Sequence, residues 1–285
     1  MIELVLHKQK IPFFASEKGE RLKVPISTGK KFEMRVLFNE INEPGKWISE
    51  DNSEFLLLLT SNGFSVNKLE KGPITYNIIK NFDIFVLGSN RLGEMNITAG
   101  EFRAIAQFVS DGRGALFVGN EYIGGDENYN NYLFQVFGVC FKSTIKDSKE
   151  KILSTSALEN APLINIFVDH PITSDVNEIF AQRNASLSID LRKQVEPLAF
   201  SSPDSDPPCV PILAIFNYGK GKIVFFGSEG IFTNDEITGI SKKDNSRLLL
   251  NIFKWYPTWK ECPNCQFMNP PGEKYCSRCR ALLEG

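Results

Sequence analysis

The residues best equipped for chemistry stand near the end of the chain, where Cys262-Pro-Asn-Cys265 is followed after ten residues by Cys276-Ser-Arg-Cys279. Each Cys-x-x-Cys bends the backbone into a knuckle that aims two thiolates at one point, and two knuckles complete a tetrahedral shell of four sulfurs. Zinc accepts that shell without a redox cost; iron is the alternative for the same donors. Four thiolates leave no open coordination position, so the expectation is one structural Zn2+ held by Cys262, Cys265, Cys276 and Cys279. A segment of this length is too short to build an apolar core, and it should fold only around its metal. Phe267, Lys274, Tyr275, Arg278 and Arg280 would give the module a small aromatic and basic face. That face suits a protein partner, with a nucleic-acid strand as the second possibility.

A second set of polar residues follows apolar runs: Asn39-Glu40, Ser89-Asn90, Asn120-Glu121 and Ser228-Glu229, with His170 in the turn Asp-His-Pro-Ile-Thr. Open α/β sheets bind ligands outside the carboxyl ends of their strands, so Asn39, Glu40, Asn120, Glu121, His170, Ser228 and Glu229 are the candidate ligand-binding residues. Glu40, Glu121 and Glu229 could converge as an acid/base pair or hold a cation. The structural alternative is that these groups cap strand ends, and that His170 orders its turn through hydrogen bonds.

The elements that must position them are legible from periodicity. Phe82, Ile84, Phe85, Val86 and Leu87 form a near-continuous apolar block fit for a strand buried on both faces, as in a parallel sheet. Thr98 with Glu101 three positions on is a helix-start pair, and Phe102, Ile105, Ala106 and Val109 then recur at helical spacing. Gly112 and Gly114 bracket the exit into a second apolar run, 115–118. Upstream, residues 32–38 and 64–69 read as strands flanking a helix capped by Ser53 and stopped at Asn62-Gly63. Downstream, a polar loop spans 122–131 before a helix that ends at Gly138 and a strand through Cys140. The turn at 169–173 leads into a short helix. Two strands over 212–216 and 222–226 flank a glycine-bearing hairpin turn. The last helix runs from a cap at Asp244 to Trp255. Strand and helix alternate, which predicts an α/β fold: a flavodoxin-like or Rossmann-like, doubly wound, mostly parallel sheet, with the small cysteine module appended. The expected organisation is a β extension over residues 1–32, the α/β domain over 33–257 and the metal module over 258–285, with no internal repeat.

Composition excludes several classes. With 32 basic and 34 acidic residues the net charge is −2, which offers no general attraction to nucleic acid or to a membrane surface. No apolar run is long enough to cross a bilayer and no leader segment is visible, so a cytoplasmic protein without membrane insertion is expected. Six cysteines are present, but Cys140 and Cys209 are isolated, so the pattern is that of a metal site and not of a disulfide framework.

Over about residues 33–256, the runs RVLFNE, ITYNIIKNFDIFVLGS, ITAGEFRAIAQFVSDGRGALFVGNE, DHPIT, GKGKIVFFGSEGIF and DNSRLLLNIFKW resemble the class I glutamine amidotransferase-like superfamily. The likeness is to its non-amidotransferase branch, which includes the amidotransferase-like domain of an intraflagellar transport subunit. The resemblance implies a nucleophilic cysteine on the turn after residues 115–118 and a His-Pro-Glu turn after a later strand. Here those turns read Gly119-Asn120-Glu121 and Gly227-Ser228-Glu229. An amide cannot accept an acyl group, so glutaminase activity is not expected. The tail is similar to short zinc-ribbon modules. With Trp259 upstream and Asn269 after Cys265 it is also similar to nucleoporin-type fingers that bind RNA or ubiquitin, although the tryptophan here stands three positions before the first cysteine instead of two. The leading expectation is a non-enzymatic binding or scaffold protein whose zinc ribbon docks a protein partner. The alternatives are a hydrolase-type enzyme using the strand-end carboxylates with His170, and a finger recognising RNA or a ubiquitin-like protein.

Overall fold

A computed structural model describes residues 34–41, 43–88, 96–147, 161–256, 260–269 and 273–283. The expected β extension over 1–32, Ser89, Asn90 and Trp259 lie outside the described residues.

Eight strands form one sheet: β1 (Met34–Asn39), β2 (Phe64–Leu69), β3 (Ile84–Gly88), β4 (Gly114–Val118), β5 (Ile166–Phe167), β6 (Val195–Phe200), β7 (Pro211–Tyr218) and β8 (Gly221–Phe226). Their order is β2-β1-β3-β4-β8-β7-β6-β5. The four pairings from β2 through β8 are parallel; the remaining three are antiparallel. Among the described residues, five α-helices accompany the sheet: α1 (Ser53–Ser61), α2 (Tyr76–Ile79), α3 (Ala99–Ser110), α4 (Glu127–Phe137) and α5 (Asn245–Trp255).

Alternate residues of a strand face opposite sides, and both sides are apolar here. Val36, Ile84, Val86, Leu116 and Phe226 share one core with Phe55 and Leu59 of α1 and Leu249 and Phe253 of α5. Leu37, Phe85, Leu87, Phe117 and Phe225 share the other with Phe102 and Ile105 of α3 and Leu133 and Phe137 of α4. The sheet is therefore sandwiched between two helix layers, the doubly wound arrangement expected from its near-continuous apolar strands.

Local signals explain most boundaries. Thr98 and Glu101 make a reciprocal capping box at the start of α3. Gly138 closes α4 in the left-handed region, φ 77°. Four expectations need correction. Asn52, not Ser53, occupies the cap position of α1, and Ser53 Oγ instead accepts from Asn234 Nδ2 at 2.8 Å. Asp244 stands at the start of α5 but does not cap it; its Oδ2 accepts from the N–H groups of Asn177 (2.8 Å) and Glu178 (3.2 Å). α4 begins at Glu127, inside the polar stretch, because Asp126 accepts from Tyr129 N–H at 3.0 Å and supplies the missing cap. No helix follows the turn at 169–173; the turn continues to Asp175, which is left-handed (φ 57°), and an irregular stretch leads to Ile179–Phe180.

Candidate functional site

The carboxyl ends of β1, β3, β4 and β8 point to one end of the sheet. Asn120, fully buried just past β4, donates from Nδ2 to Glu229 Oε2 at 3.1 Å and accepts the Tyr122 N–H on Oδ1 at 3.0 Å. Lys46 Nζ reaches the same Glu229 oxygen at 2.8 Å and lies 5.3 Å from the Trp47 ring centroid. Arg183 spans two carboxylates, Nη1 at 3.7 Å from Glu229 Oε1 and Nε at 3.6 Å from Glu121 Oε1. Positive and negative groups thus alternate along Lys46, Glu229, Arg183 and Glu121. Each carboxylate has a cation beside it, an arrangement that holds a surface together and leaves neither acid placed as a lone general base.

Glu40 sits next to this network but serves its own loop. Its two oxygens accept the N–H groups of Gly45 (3.0 Å), Trp47 (2.9 Å) and Ile48 (2.7 Å). That clasp presents Lys46 to Glu229 and lays Trp47 over Gly88 at the end of β3, where a Cβ would come within 2.3 Å of the indole. Asn39 Oδ1 accepts from Ile41 N–H at 3.4 Å. Ser228, fully buried, donates its hydroxyl to Gln182 O at 2.8 Å. A strap over residues 182–185 crosses here: Ala185 N–H donates to Gly227 O, Glu229 N–H to Arg183 O and Gly230 N–H to Gln182 O. The strap thus lies along the chain just past the carboxyl end of β8, at the end of the sheet where ligands of open α/β sheets bind.

The structure thus gathers Asn120, Glu121, Ser228 and Glu229, sets Asn39 and Glu40 in the adjoining turn, and separates His170 from all of them. His170 packs its ring against Trp255, 5.6 Å between centroids, and the Trp255 carbonyl accepts from Lys222 Nζ at 3.0 Å. Lys222, the second residue of β8, is in register with Gly114, the first residue of β4. His170 therefore lies at the amino ends of the parallel strands and the carboxylates at the opposite ends. The pairing of His170 with the strand-end carboxylates that the alternative hydrolase reading requires is not formed here. The hydrogen bond from Ile172 N–H to His170 Nδ1, 3.1 Å, holds the turn instead.

Burial, against the partial opposition of Glu196, lowers the pKa of His170. The unfolded chain then takes up a proton before the native state does, so stability should fall as pH drops below about 6.5 and through the lowered native value. His170→Asn keeps an acceptor for Ile172 N–H and removes the titration. Urea midpoints measured between neutral and mildly acidic pH should decline more steeply for the native chain than for this variant.

The cysteine cluster is compact. The Sγ atoms of Cys262, Cys265, Cys276 and Cys279 all lie within 4.8 Å of one another. Each knuckle closes with the same two backbone bonds: Cys262 N–H to Phe267 O with Gln266 N–H to Cys262 O, and Cys276 N–H to Ala281 O with Arg280 N–H to Cys276 O. The residue after each second cysteine is left-handed, φ 58° at Gln266 and 63° at Arg280. The pair Glu261–Met268 recurs as Tyr275–Leu282. The two halves are thus structural repeats fourteen residues apart, contrary to the expectation of no internal repeat; only a lysine and the two cysteines coincide between them.

Proton affinity within the cluster is split. Burial opposes ionisation of Cys276, but the N–H groups of Cys279 and Arg278 and the Cys262 sulfur hold it down to about 6. Cys265 accepts from Phe267 N–H, yet burial and the three other sulfurs outweigh that bond and push it up to about 12. Four thiolates so close cannot all ionise without a cation among them. The all-sulfur donor set, its spacing and the amide N–H groups aimed at sulfur fit a tetrahedral metal ion.

No family model and no curated protein sequence matches the chain. Its α/β fold is shared with solved structures, and a four-cysteine cluster follows it in the chain. Among solved structures, the mmIFT52 N-terminal domain is 20% identical with a TM-score of 0.65, over 78% of this chain and 96% of that one. A cytoplasmic protein from Salmonella typhimurium LT2 is 20% identical with a TM-score of 0.54, over 78% and 98%. A ThuA-like protein from Bacteroides uniformis is 18% identical with a TM-score of 0.55, over 81% and 94%. At these identities the likeness is one of fold.

Lys46 and Arg183 are the site residues that sequence reasoning missed. Lys46 had a faint signal, since it lies in the Gly/Pro/Trp loop directly after β1. Arg183 had none; it reaches the site only because the strap crosses β8, with its own backbone at φ 50°.

Proposed function

We propose that this chain is a non-enzymatic binding platform: an amidotransferase-like α/β domain over residues 33–257 without a nucleophile, and a zinc ribbon over 258–285 that docks a protein partner. The observation that carries this reading is the state of Asn120. At the turn where the resembling enzymes carry a reactive cysteine, this chain has a buried amide spent on Glu229 and Tyr122 N–H. Ser228, a hydroxyl-bearing residue at the end of β8, is committed to Gln182 O, and among the described residues no histidine stands near it to activate it. One Zn2+ on Cys262, Cys265, Cys276 and Cys279 completes the reading as a structural ion, since all four positions of its shell are filled by protein. A cytoplasmic site of action belongs to the same proposal, because four free thiols at metal spacing require a reducing compartment. No helix among the described residues is long and apolar enough to cross a membrane.

Incubation of the zinc-loaded full chain with glutamine, followed by ammonia assay, is expected to give no release above buffer. Measurable ammonia, or a covalent acyl adduct on the α/β domain by mass spectrometry, would end the reading.

A further inference from the structure

The two halves of the ribbon provide an internal control, because the backbone treats them alike and the side chains do not. Shifting by fourteen residues places Glu261 on Tyr275, Asn264 on Arg278, Gln266 on Arg280 and Met268 on Leu282, while Lys260 falls on Lys274. The fold therefore accepts acidic or neutral polar residues at three positions where the second knuckle carries an aromatic ring and two guanidinium groups. Whatever put them there was not the demand of the knuckle.

Two of those positions share one face. Tyr275 and Leu282 face each other across an antiparallel bridge, and directly opposed residues project to the same side. They are 50% and 54% exposed, large apolar side chains that the ribbon's small interior of Cys262, Cys276 and Leu283 leaves outside. Lys274, Arg278 and Arg280 are exposed within the same knuckle, where Glu273 is the exposed acidic residue among those described. An apolar centre with a polar, predominantly basic surround has the anatomy of a recognition surface for a segment of opposite charge.

We infer that the second knuckle binds an acidic peptide segment bearing an aromatic or aliphatic anchor, which sits on Tyr275 and Leu282 while its carboxylates meet Lys274, Arg278 and Arg280. This deepens, and rests on, the partner-docking reading of the ribbon. The surface fits a peptide better than single-stranded RNA. Successive bases need successive ring faces to stack on. Here Lys274 Nζ stands 5.8 Å from the Tyr275 centroid and takes up one face, and the neighbouring Leu282 offers no π surface.

The test is selection of a randomised displayed peptide library on the zinc-loaded full chain, followed by affinity measurement with the native chain, with Tyr275→Ser/Leu282→Ser, and after chelation. Zinc content of the double variant, one ion per chain as in the native protein, verifies that its ribbon is folded. Enriched acidic peptides with an apolar residue, weakened about tenfold or more by the double substitution and by added salt, are the expected result. Peptides that chelation releases but the double substitution does not would overturn this face and leave ribbon docking intact. Absence of any chelation-sensitive peptide would overturn both. Enrichment of basic peptides, or tighter binding of a uridine homopolymer that the same substitutions abolish, would replace the acidic segment with another partner class.

Discussion

Chelation of the metal, or Cys276→Ser, is expected to unfold residues 260–283 while the α/β domain stays native. The ribbon's interior consists of Cys262, Cys276 and Leu283, with Cys265, Cys279 and Ala281 partly buried around them, so its core is made largely of its ligands. Burying one leucine contributes about 1.5–3 kcal/mol, far below the conformational entropy of ordering two dozen residues. The left-handed backbones of Gln266 and Arg280 cost roughly 1–2 kcal/mol each in addition. Structural zinc in small fingers supplies about 10–16 kcal/mol, enough to reverse the balance. The α/β domain has two apolar cores of its own and none of the ligands. In amide-correlation NMR spectra, signals from 260–283 should collapse to unfolded positions on chelation and return with added zinc, with the remainder unmoved. Persistent dispersion of those signals after complete metal removal would show that the ribbon is held by something other than its thiolates.

The parts visible in the sequence are those where one physical requirement dominates a local stretch. β3 is buried on both faces and reads as an unbroken apolar run; α3 carries a capping box and a helical stripe; the cysteine spacing is dictated by a tetrahedral shell. Where the determinant is distant in sequence, local reading fails. Asp244 has the right type and place for a cap, yet two N–H groups from 177 and 178 claim its carboxylate. His170 follows an apolar segment like the other candidates, but that segment enters the sheet at its antiparallel edge and delivers the ring to the opposite end of the parallel strands. The knuckle repeat escaped notice because hydrogen bonds and φ angles recur while side chains diverge. That divergence is itself informative, since it separates what the metal fold needs from what the second knuckle adds.

Glu40→Ala should destabilise the α/β domain by roughly 3–5 kcal/mol, a large part of the ~5–15 kcal/mol typical of a domain. Glu40 is 1% exposed and accepts three backbone N–H bonds from one short loop. Alanine leaves those donors without their acceptor, and each buried donor so stranded costs about 1–3 kcal/mol, less whatever the loop recovers by admitting water. The consequences extend beyond the loop. Lys46 lies between the clasped N–H groups and Trp47 carries one of them, so relaxation withdraws Lys46 from Glu229 and loosens the indole from Gly88. Glu40→Gln should cost about half as much: Oε1 can still accept from Trp47 and Ile48, while the new amide turns a donor toward Gly45 N–H. Urea unfolding of both variants measures the two costs. Coupling is the sharper test. If Glu40 acts by presenting Lys46, then Lys46→Met should cost less in the Glu40→Ala background than in the native one, and strictly additive effects would mean that the clasp and the charge network are independent.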